Sequence, residues 1–162
     1  MGRRFEKISR DECFAELGAE HECSVEEYES LELPTRGSKF SAGYDFHTPY
    51  RITLQARSMT KIPTMIKADM EEDEVLLIDV RSSLGFKHNI RLANTIGVVD
   101  KDYYNNENNE GHIFIKLYNP NDENIILEKG DRFAQGIFIK YLKTEDDEAE
   151  GERAGGIGST GR

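Results

Sequence analysis

Tryptophan is absent from this sequence, and proline and cysteine are scarce, with four and two residues among 162. No apolar run approaches the ~18 residues of a membrane span, and no N-terminal run resembles a signal peptide. Cys13 and Cys23 have no spacing typical of zinc ligands, so we expect them to be reduced thiols without a role. These absences predict a cytoplasmic protein without a membrane anchor or a disulfide framework.

Positive charge is also in deficit, because 31 Asp and Glu residues outnumber 21 Lys and Arg residues and give a formal net charge of -10. Binding to DNA or RNA backbones depends on basic patches that release counterions, so we expect no nucleic-acid partner. Hydrophobic residues make up 37% of the chain and charged residues 32%. We therefore expect one domain with a thin core, which an oligomer that shares apolar surface would stabilise.

Short segments rich in β-forming residues follow one another from Leu33 onward, separated by Gly, Pro, Asn and Asp. This pattern indicates an all-β sandwich or barrel rather than alternating βαβ units. The clearest predicted strands cover residues 58–67, 74–80, 112–119, 124–127 and 134–142. Upstream, Ser9 and Glu12 have the spacing of a capping box, which predicts a short helix near 10–19.

The pattern divides the chain into an N-terminal extension (1–32), a β-domain (33–142) and an acidic linker with a glycine-rich arm (143–162). The last eight residues contain four glycines and two hydroxyls. Glycine lets backbone N–H groups approach an anion closely, so this flexible arm is suited to wrap a phosphate. A disordered tail is the alternative that the composition alone leaves open.

Two polar clusters stand where predicted strands end. Arg81, Ser82 and Ser83 offer a guanidinium, hydroxyls and N–H groups to an oligophosphate, although a Ser-Gly turn with a surface arginine has the same pattern. Asp100 could activate a water and Tyr103 could stack on a ring, with solvated turn residues as the alternative.

The other polar positions carry less information on their own. Asn94 has donor and acceptor edges that suit a pyrimidine. Asp45 follows a run of small residues, and Gln135 lies at a turn that leads into a strand. The histidines have no spacing typical of a metal site or a nucleophile–base pair, so we expect structural or surface positions for His47, His88 and His112.

Taken in order, residues 41–45, 81–85, 97–103, 130–135 and the glycine-rich arm resemble the five motifs of the homotrimeric dUTP pyrophosphatases, the dUTPase family. The resemblance runs from Leu33 to Arg162. It implies a jelly-roll-like β-barrel and a homotrimer in which all three subunits build each active site. It also implies hydrolysis of dUTP to dUMP and pyrophosphate by attack of water on the α-phosphorus, with Mg2+ held by substrate phosphates and waters. The dUMP would supply thymidylate synthesis and limit uracil in DNA.

The same resemblance implies a role for each matching residue. Asp100 would activate the attacking water, and Asp45 would support the metal–water shell. Tyr103 would pack on the deoxyribose and exclude a 2′-hydroxyl, while a hairpin at 93–99 would recognise uracil. The implied substrate contacts are Arg81, Ser82, Ser83 and Gln135 on the phosphates; Asn94, Gly97, Val99 and Tyr103 on the nucleoside; and Arg153, Gly156, Ile157, Gly158, Ser159 and Thr160 in the arm.

The sequence departs from the family pattern in the third motif and in the arm. Residues 104–110 separate Tyr103 from Gly111, where the family has Tyr-x-Gly, which leaves open whether Tyr103 or Tyr104 packs on the sugar. Ile157 stands where an aromatic residue is common, which predicts a weaker contact with the base but not a loss of activity. Glu152 occupies the usual arginine position, and we expect Arg153 to take that role.

Two alternative functions fit the same fold class. A dCTP deaminase would need a catalytic glutamate where this chain has Lys116, and lysine cannot replace that acid–base group at neutral pH. A protein that acts by binding a regulatory partner is the other alternative, because the 104–110 loop and the N-terminal extension offer unassigned surface. Asp100 and the Ser82 cluster are both present, so the enzyme is the preferred prediction.

Overall fold

The computed structural model describes residues 2–17 and 24–151. Its strands are β1 (Arg4–Lys7), β2 (Thr35–Arg36), β3 (Tyr44–His47), β4 (Ile52–Leu54), β5 (Ser58–Pro63), β6 (Ile66–Asp69), β7 (Glu74–Val80), β8 (Arg91–Leu92), β9 (Gly97–Val99), β10 (Phe114–Asn119), β11 (Ile125–Leu127) and β12 (Arg132–Lys140). Its helices are α1 (Arg10–Leu17), α2 (Val25–Glu29) and α3 (Ser82–His88), with a 3-10 helix at Lys101–Tyr103.

Antiparallel pairing organises these strands into four sheets. The largest has the order β2-β3-β12-β7-β9, a second has the order β5-β10-β8, and two pairs join β11 to β4 and β1 to β6. Buried side chains from all of these sheets form one hydrophobic cluster. The prediction of an all-β body is confirmed, although the hydrogen-bonded strands of the described ranges do not close into one ring.

Two of the predicted strands, at 74–80 and 112–119, are confirmed as β7 and β10. β7 occupies the predicted range, and Leu76 and Ile78 are buried within the largest sheet. In β10, Ile115 and Leu117 are buried, whereas Lys116 between them is exposed. This alternation follows from a strand that packs one face on the core.

The predicted strand at 58–67 is wrong as a single element, because β5 ends at Pro63 and β6 begins at Ile66. Met65 has a positive φ of 61°. The Thr64 hydroxyl accepts a hydrogen bond from the N–H of Ile66 at 3.1 Å and donates one to the carbonyl of Ile113 at 2.7 Å. A side chain thus takes the place of ladder hydrogen bonds and turns the chain from one sheet into another.

The N-terminal segment contains the helix that the sequence predicted near 10–19, in the form of α1. Ser9 Oγ accepts a hydrogen bond from the N–H of Glu12 at 3.2 Å, as expected for a capping box. The N–H of Ser9, however, donates to Glu110 Oε2 at 2.8 Å. The Ser9 side chain therefore caps α1, while the Ser9 N–H joins the start of the helix to a distant loop.

A strand that the sequence did not predict precedes this helix. β1 pairs with β6 and places Phe5 among Tyr44, Phe46 and Phe138, at ring-centroid distances of 5.4, 5.6 and 5.2 Å. Aromatic pairs at such distances stabilise a core beyond the area that they bury. The N-terminal segment is therefore packed onto the β-domain.

Gly136, in β12, offers a test of the core packing. A Cβ at this position would lie 2.9 Å from Leu76 Cδ1 and 3.0 Å from Phe46 Cε2. We expect Gly136→Ala to lower the free energy of unfolding by about 1–3 kcal/mol, because overpacking forces neighbours out of their preferred conformations. Urea denaturation at one fixed protein concentration measures the change. Gly151→Ala is the control, since a Cβ there meets no atom within 4 Å, and equal midpoints for the two variants would contradict the packing argument.

Candidate active site

A cavity of about 200 Å³ lies between the β9 region and β10, and we call it the ring cavity. Asn94, Gly97, Val99 and Tyr103 line it, together with apolar side chains that include Ile78. Pockets that enclose a drug-sized ligand have volumes of ~300–1,000 Å³, so this one is suited to a single ring. The four residues that the resemblance assigned to the nucleoside thus share one cavity.

The chain between β8 and β9 makes a tight turn beside the ring cavity. The N–H of Ile96 donates to the carbonyl of Asn94 at 2.7 Å, across Thr95, whose φ is 68°. This is the hydrogen bond of a γ-turn, and a positive φ is strained for a β-branched residue. The expected hairpin at 93–99 is corrected, because β8 pairs with β10 while β9 pairs with β7, so the segment passes between sheets.

Asp100 follows β9 directly and begins the 3-10 helix, where its carbonyl accepts a hydrogen bond from the N–H of Tyr103 at 3.2 Å. Its side chain belongs to an exposed residue, so water has access to it. Tyr103 is only 6% exposed, lines the ring cavity and donates its hydroxyl to the carbonyl of His112 at 2.7 Å. Tyr104 donates its hydroxyl to Glu6 at 2.6 Å instead. Tyr103 is therefore the tyrosine of the cavity wall.

A second cleft, of about 510 Å³, lies between the turn at 37–43 and β12, and we call it the arginine cleft. Asp45, Arg81, Arg132 and Gln135 line it. Asp45 is 6% exposed, and its Oδ2 accepts hydrogen bonds from Arg81 Nη1 at 2.9 Å and from Arg132 Nη1 at 3.4 Å. One carboxylate faces two guanidinium groups, so the cleft keeps a local excess of positive charge that suits an anion.

Arg132 is a site residue that the sequence analysis missed. In the β12–β3 ladder Arg132 pairs with His47 and Gln135 with Asp45, so β12 carries one extra residue, a β-bulge. Side chains three positions apart on a regular strand point to opposite faces. The bulge brings Arg132 and Gln135 to the face of Asp45, and sequence spacing gives no sign of it.

Ser82 and Ser83 form the first positions of α3, with Arg81 as the N-cap residue. The alternative of a Ser-Gly turn is therefore wrong. The N–H of Arg81 donates to the carbonyl of Phe133 at 3.1 Å, which joins the start of this helix to the bulge of β12. The hydrogen bond fixes Arg81 relative to the other residues of the arginine cleft.

The arm residues of the sequence analysis, namely Arg153, Gly156, Ile157, Gly158, Ser159 and Thr160, lie outside the described residues, and their roles stay predictions. Within the ranges 2–17 and 24–151, no group of three or more His, Cys, Asp or Glu side chains could hold a metal ion. None of the helices in those ranges combines the length and the apolar character of a membrane span.

The ring cavity is suited to a single ring and the arginine cleft to an anionic group, a combination that fits a nucleotide-like ligand. The family model for dUTPase matches residues 29–161. A deoxyuridine 5'-triphosphate nucleotidohydrolase of Lactococcus lactis is 43% identical over 133 residues, which cover 81% of this chain and 89% of the relative. The chain belongs to the dUTPase family.

Solved structures agree with this assignment. The dUTPase from Streptococcus mutans has a TM-score of 0.70 and 37% identity, with 90% of this chain and 99% of that chain covered. A mutant dUTPase from phage phi11 of S. aureus, in which a structural Mg(II) ion is coordinated, has a TM-score of 0.66 over 93% of this chain and 98% of its own, and its 17% identity shows the fold alone. The jelly-roll-like dUTPase fold is confirmed.

The backbone carbonyl of His112 accepts the hydrogen bond from the Tyr103 hydroxyl, and the buried imidazole of the same residue offers a test by pH. It is fully buried, its Nε2 accepts a hydrogen bond from the N–H of Met65 at 3.0 Å, and burial lowers its pKa to about 4 from 6.5. His112 binds a proton near pH 6.5 in the unfolded chain but only near pH 4 in the folded protein. Its neutral, buried state therefore stabilises the fold fully above pH 6.5, and this stabilisation is lost as the pH falls toward 4.

We expect the free energy of unfolding to fall by about 2 kcal/mol from this residue between roughly pH 7.5 and pH 5. Urea denaturation of the wild type and of His112→Gln at both pH values isolates the term, because other titrating groups are common to both proteins. An equal loss in the two proteins would contradict the buried, neutral state of His112.

Proposed function

We propose that this member of the dUTPase family hydrolyses dUTP to dUMP and pyrophosphate, with the base in the ring cavity of one chain and the phosphates in the arginine cleft of a neighbouring chain. Asp100 accepts a proton from a water molecule as the water oxygen bonds to the α-phosphorus. The bond from that phosphorus to the α,β-bridging oxygen breaks, and pyrophosphate leaves with its electron pair. The observation that supports this proposal most is that each chain contains both a ring-sized cavity and a cleft in which two guanidinium groups face one carboxylate.

The lining of the ring cavity supports selection of a deoxyuridine. Asn94 offers both a donor and an acceptor to the polar edge of uracil. A Cβ on Gly97 would lie 3.1 Å from Ile78 Cβ, so glycine lets β9 lie close to β7 and keeps the cavity narrow. A narrow cavity disfavours the methyl group of thymine, and the buried ring of Tyr103 would leave no space for a 2′-hydroxyl.

The arginine cleft supports stabilisation of the phosphates. Arg81 and Arg132 present planar forks of donors, and Gln135 adds an amide from the same face of the sheet. Asp45 holds both guanidinium groups in place before substrate arrives, which is the preorganisation that phosphoryl transfer needs. In this assignment Ser82 and Ser83 donate further hydrogen bonds to the phosphates, and the arm from Arg153 to Thr160 closes over the triphosphate.

A distance argument supports a site shared between copies of the chain. Val99 pairs with Leu76, so Asp100 lies beside the start of β7, whereas Arg81 follows its end. At about 3.3 Å per residue, the five steps from Leu76 to Arg81 span roughly 17 Å. One α-phosphorus cannot contact both groups of the same chain across that length, so we propose the homotrimer of the family, with sites completed by neighbouring subunits.

Apolar surface in the described residues agrees with such an assembly. Phe40 and Phe86 are each 90% exposed, and Val98, beside the ring cavity, is 58% exposed. Large apolar side chains exposed to this extent are typical of surfaces that pack against another protein.

Mg2+ is the cofactor that the family implies, and the donor set fits a metal held mainly by substrate. Mg2+ is commonly bound by substrate phosphates and waters with one or two carboxylates. Asp100 and Asp45 are the site carboxylates that could bind its waters. When bound, the ion would neutralise charge on the phosphates.

The alternatives receive no support of this kind. Lys116 lines the ring cavity at the position where a deaminase would need its glutamate. The 104–110 loop, which the sequence left free for a partner, packs on the N-terminal segment through Glu110 and Ser9. We therefore propose neither a deaminase nor a regulatory protein partner, and a cytoplasmic location stays a prediction.

The reaction is tested by offering dUTP, dCTP, dTTP and UTP separately with Mg2+. We expect pyrophosphate release from dUTP at a kcat/KM at least about 100-fold above each of the others, without release of ammonia, because the cavity selects both base and sugar. Ammonia released from dCTP would support the deaminase instead. Absence of pyrophosphate release from dUTP would refute the proposed function.

The role of Asp100 is tested by Asp100→Asn. The amide keeps the shape of the carboxylate but cannot accept the proton, so we expect kcat to fall by about 100-fold or more with little change in binding of a non-hydrolysable dUTP analogue. Asp102→Asn is the matched control, because Asp102 is a nearby exposed carboxylate. Full activity of Asp100→Asn would remove Asp100 from the mechanism.

The same variant tests the shared site when it is mixed with Arg81→Ala. Each variant alone is expected to be inactive. After subunit exchange, sites that combine Asp100 of one chain with Arg81 of another should restore about a quarter of the wild-type rate. No recovery from mixed assemblies would indicate that both residues act within one chain.

A further inference from the structure

The loop at 104–110, an insertion relative to the family pattern, is closed by hydrogen bonds around Asn106. This residue is 8% exposed, and its Nδ2 donates to the carbonyl of Tyr103 and to Asn109 Oδ1, both at 2.8 Å. Its Oδ1 accepts from the N–H groups of Asn108 at 3.0 Å and Asn109 at 3.2 Å. Both donors and both acceptor positions of the amide are used, which fixes the shape of the loop.

Asn109 connects this loop to the ring cavity. Its Nδ2 donates to the Tyr103 hydroxyl at 2.9 Å, and that hydroxyl donates to the carbonyl of His112 at 2.7 Å. Asn109 Oδ1 accepts from the N–H of Gly111 at 3.1 Å. The Tyr103 hydroxyl both accepts and donates a hydrogen bond. The ring that lines the cavity is therefore held at its hydroxyl as well as through the backbone.

The outer end of the loop is fastened to the N-terminal segment. Glu110 accepts a hydrogen bond from the N–H of Ser9 at 2.8 Å and lies 3.5 Å from Lys67 Nζ. Lys67 Nζ also donates to Asn105 Oδ1 at 2.7 Å, and Tyr104 donates to Glu6 in β1 at 2.6 Å. The loop therefore lies between the cavity wall and the β1–β6 pair, in contact with both.

We propose that Asn109 is a positioning residue for Tyr103, and that the 104–110 loop, fastened to Ser9 and β1, fixes the ring where it excludes a 2′-hydroxyl. The inference rests on the proposed function, in which Tyr103 packs on the deoxyribose. Asn109 acts through Tyr103 and not on the substrate. The N-terminal segment then contributes to sugar selection without lining the cavity.

Asn109→Asp tests this role with the smallest change. It keeps the acceptor oxygen for Gly111 and Asn106 but replaces the group that donates to Tyr103. We expect the ratio of kcat/KM for dUTP to that for UTP to fall by about 3- to 10-fold, the effect of one lost hydrogen bond, mainly through a lower KM for UTP as the exclusion of its 2′-hydroxyl is relaxed. Asn108→Asp, an exposed neighbour with the same change of charge, should stay within about twofold of wild type.

A double-mutant cycle with Tyr103→Phe separates positioning from a general loss of structure. Tyr103→Phe removes the hydroxyl through which Asn109 acts, so adding Asn109→Asp should change the ratio by less than about twofold. The same several-fold loss in both backgrounds would show that Asn109 acts independently of Tyr103, and the proposal would be overturned.

Binding provides a readout that does not depend on turnover. The ratio of Kd values for α,β-imido-dUTP and its ribose counterpart should shift in Asn109→Asp and not in Asn108→Asp. If the wild type releases no pyrophosphate while this shift occurs, the proposed function fails and the positioning role stands. If the wild type hydrolyses dUTP and the two variants behave alike in both readouts, the positioning role fails and the function stands.

The contribution of the N-terminal segment is tested by Glu110→Ala, with exposed Glu107→Ala as the control. Loss of the contact with Ser9 should lower the dUTP to UTP ratio in the same direction as Asn109→Asp, by about 2- to 5-fold. Equal ratios for Glu110→Ala and Glu107→Ala would overturn the part of the proposal that concerns Ser9 and β1.

Discussion

The length of β7 determines how the site is built. This strand lies between β12 and β9 in the largest sheet, and its central side chains are buried, so polar groups can be placed only where it starts and ends. Asp100 lies near the start of β7, because its neighbour Val99 pairs with Leu76, whereas Arg81 of the arginine cleft follows the end of the strand. A rigid strand cannot bring these ends together, so a ligand that needs both groups needs more than one copy of the chain.

The local charge at the arginine cleft differs in sign from the net charge of the chain. The chain carries a net charge of -10, yet at the arginine cleft two guanidinium groups share one carboxylate. Local geometry, not net charge, decides whether an anion binds, because fields from distant surface charges are screened within about 10 Å in ordinary salt. Asp45 has a second effect, since its hydrogen bonds hold the guanidinium groups of Arg81 and Arg132 in one orientation, which lowers the ordering cost of binding an anion.

Much of this arrangement could be predicted from the sequence. The apolar run of β7 and the alternation in β10 determine their own burial, and the residues assigned to the nucleoside do line one cavity. Arg132 could not be found in this way, because a bulge changes the face of every later residue in its strand and leaves no periodic signal. The break at Thr64 depends likewise on a hydroxyl that replaces ladder bonds, and that exchange becomes visible only in three dimensions.

The 104–110 loop and the N-terminal segment are best understood as one feature. Lengthening a loop costs little closure entropy, about 0.6 kcal/mol for each doubling, so an insertion is tolerated easily but would leave its flanking residues mobile. Here the flanking residue is Tyr103, and its ring can form a defined part of the cavity wall only if it does not move. Asn106 and Asn109 supply the hydrogen bonds that a short turn would have made, and Ser9 holds the outer end through Glu110. The 104–110 loop and the N-terminal segment thus hold each other in place, and together they keep Tyr103 ordered in the cavity wall.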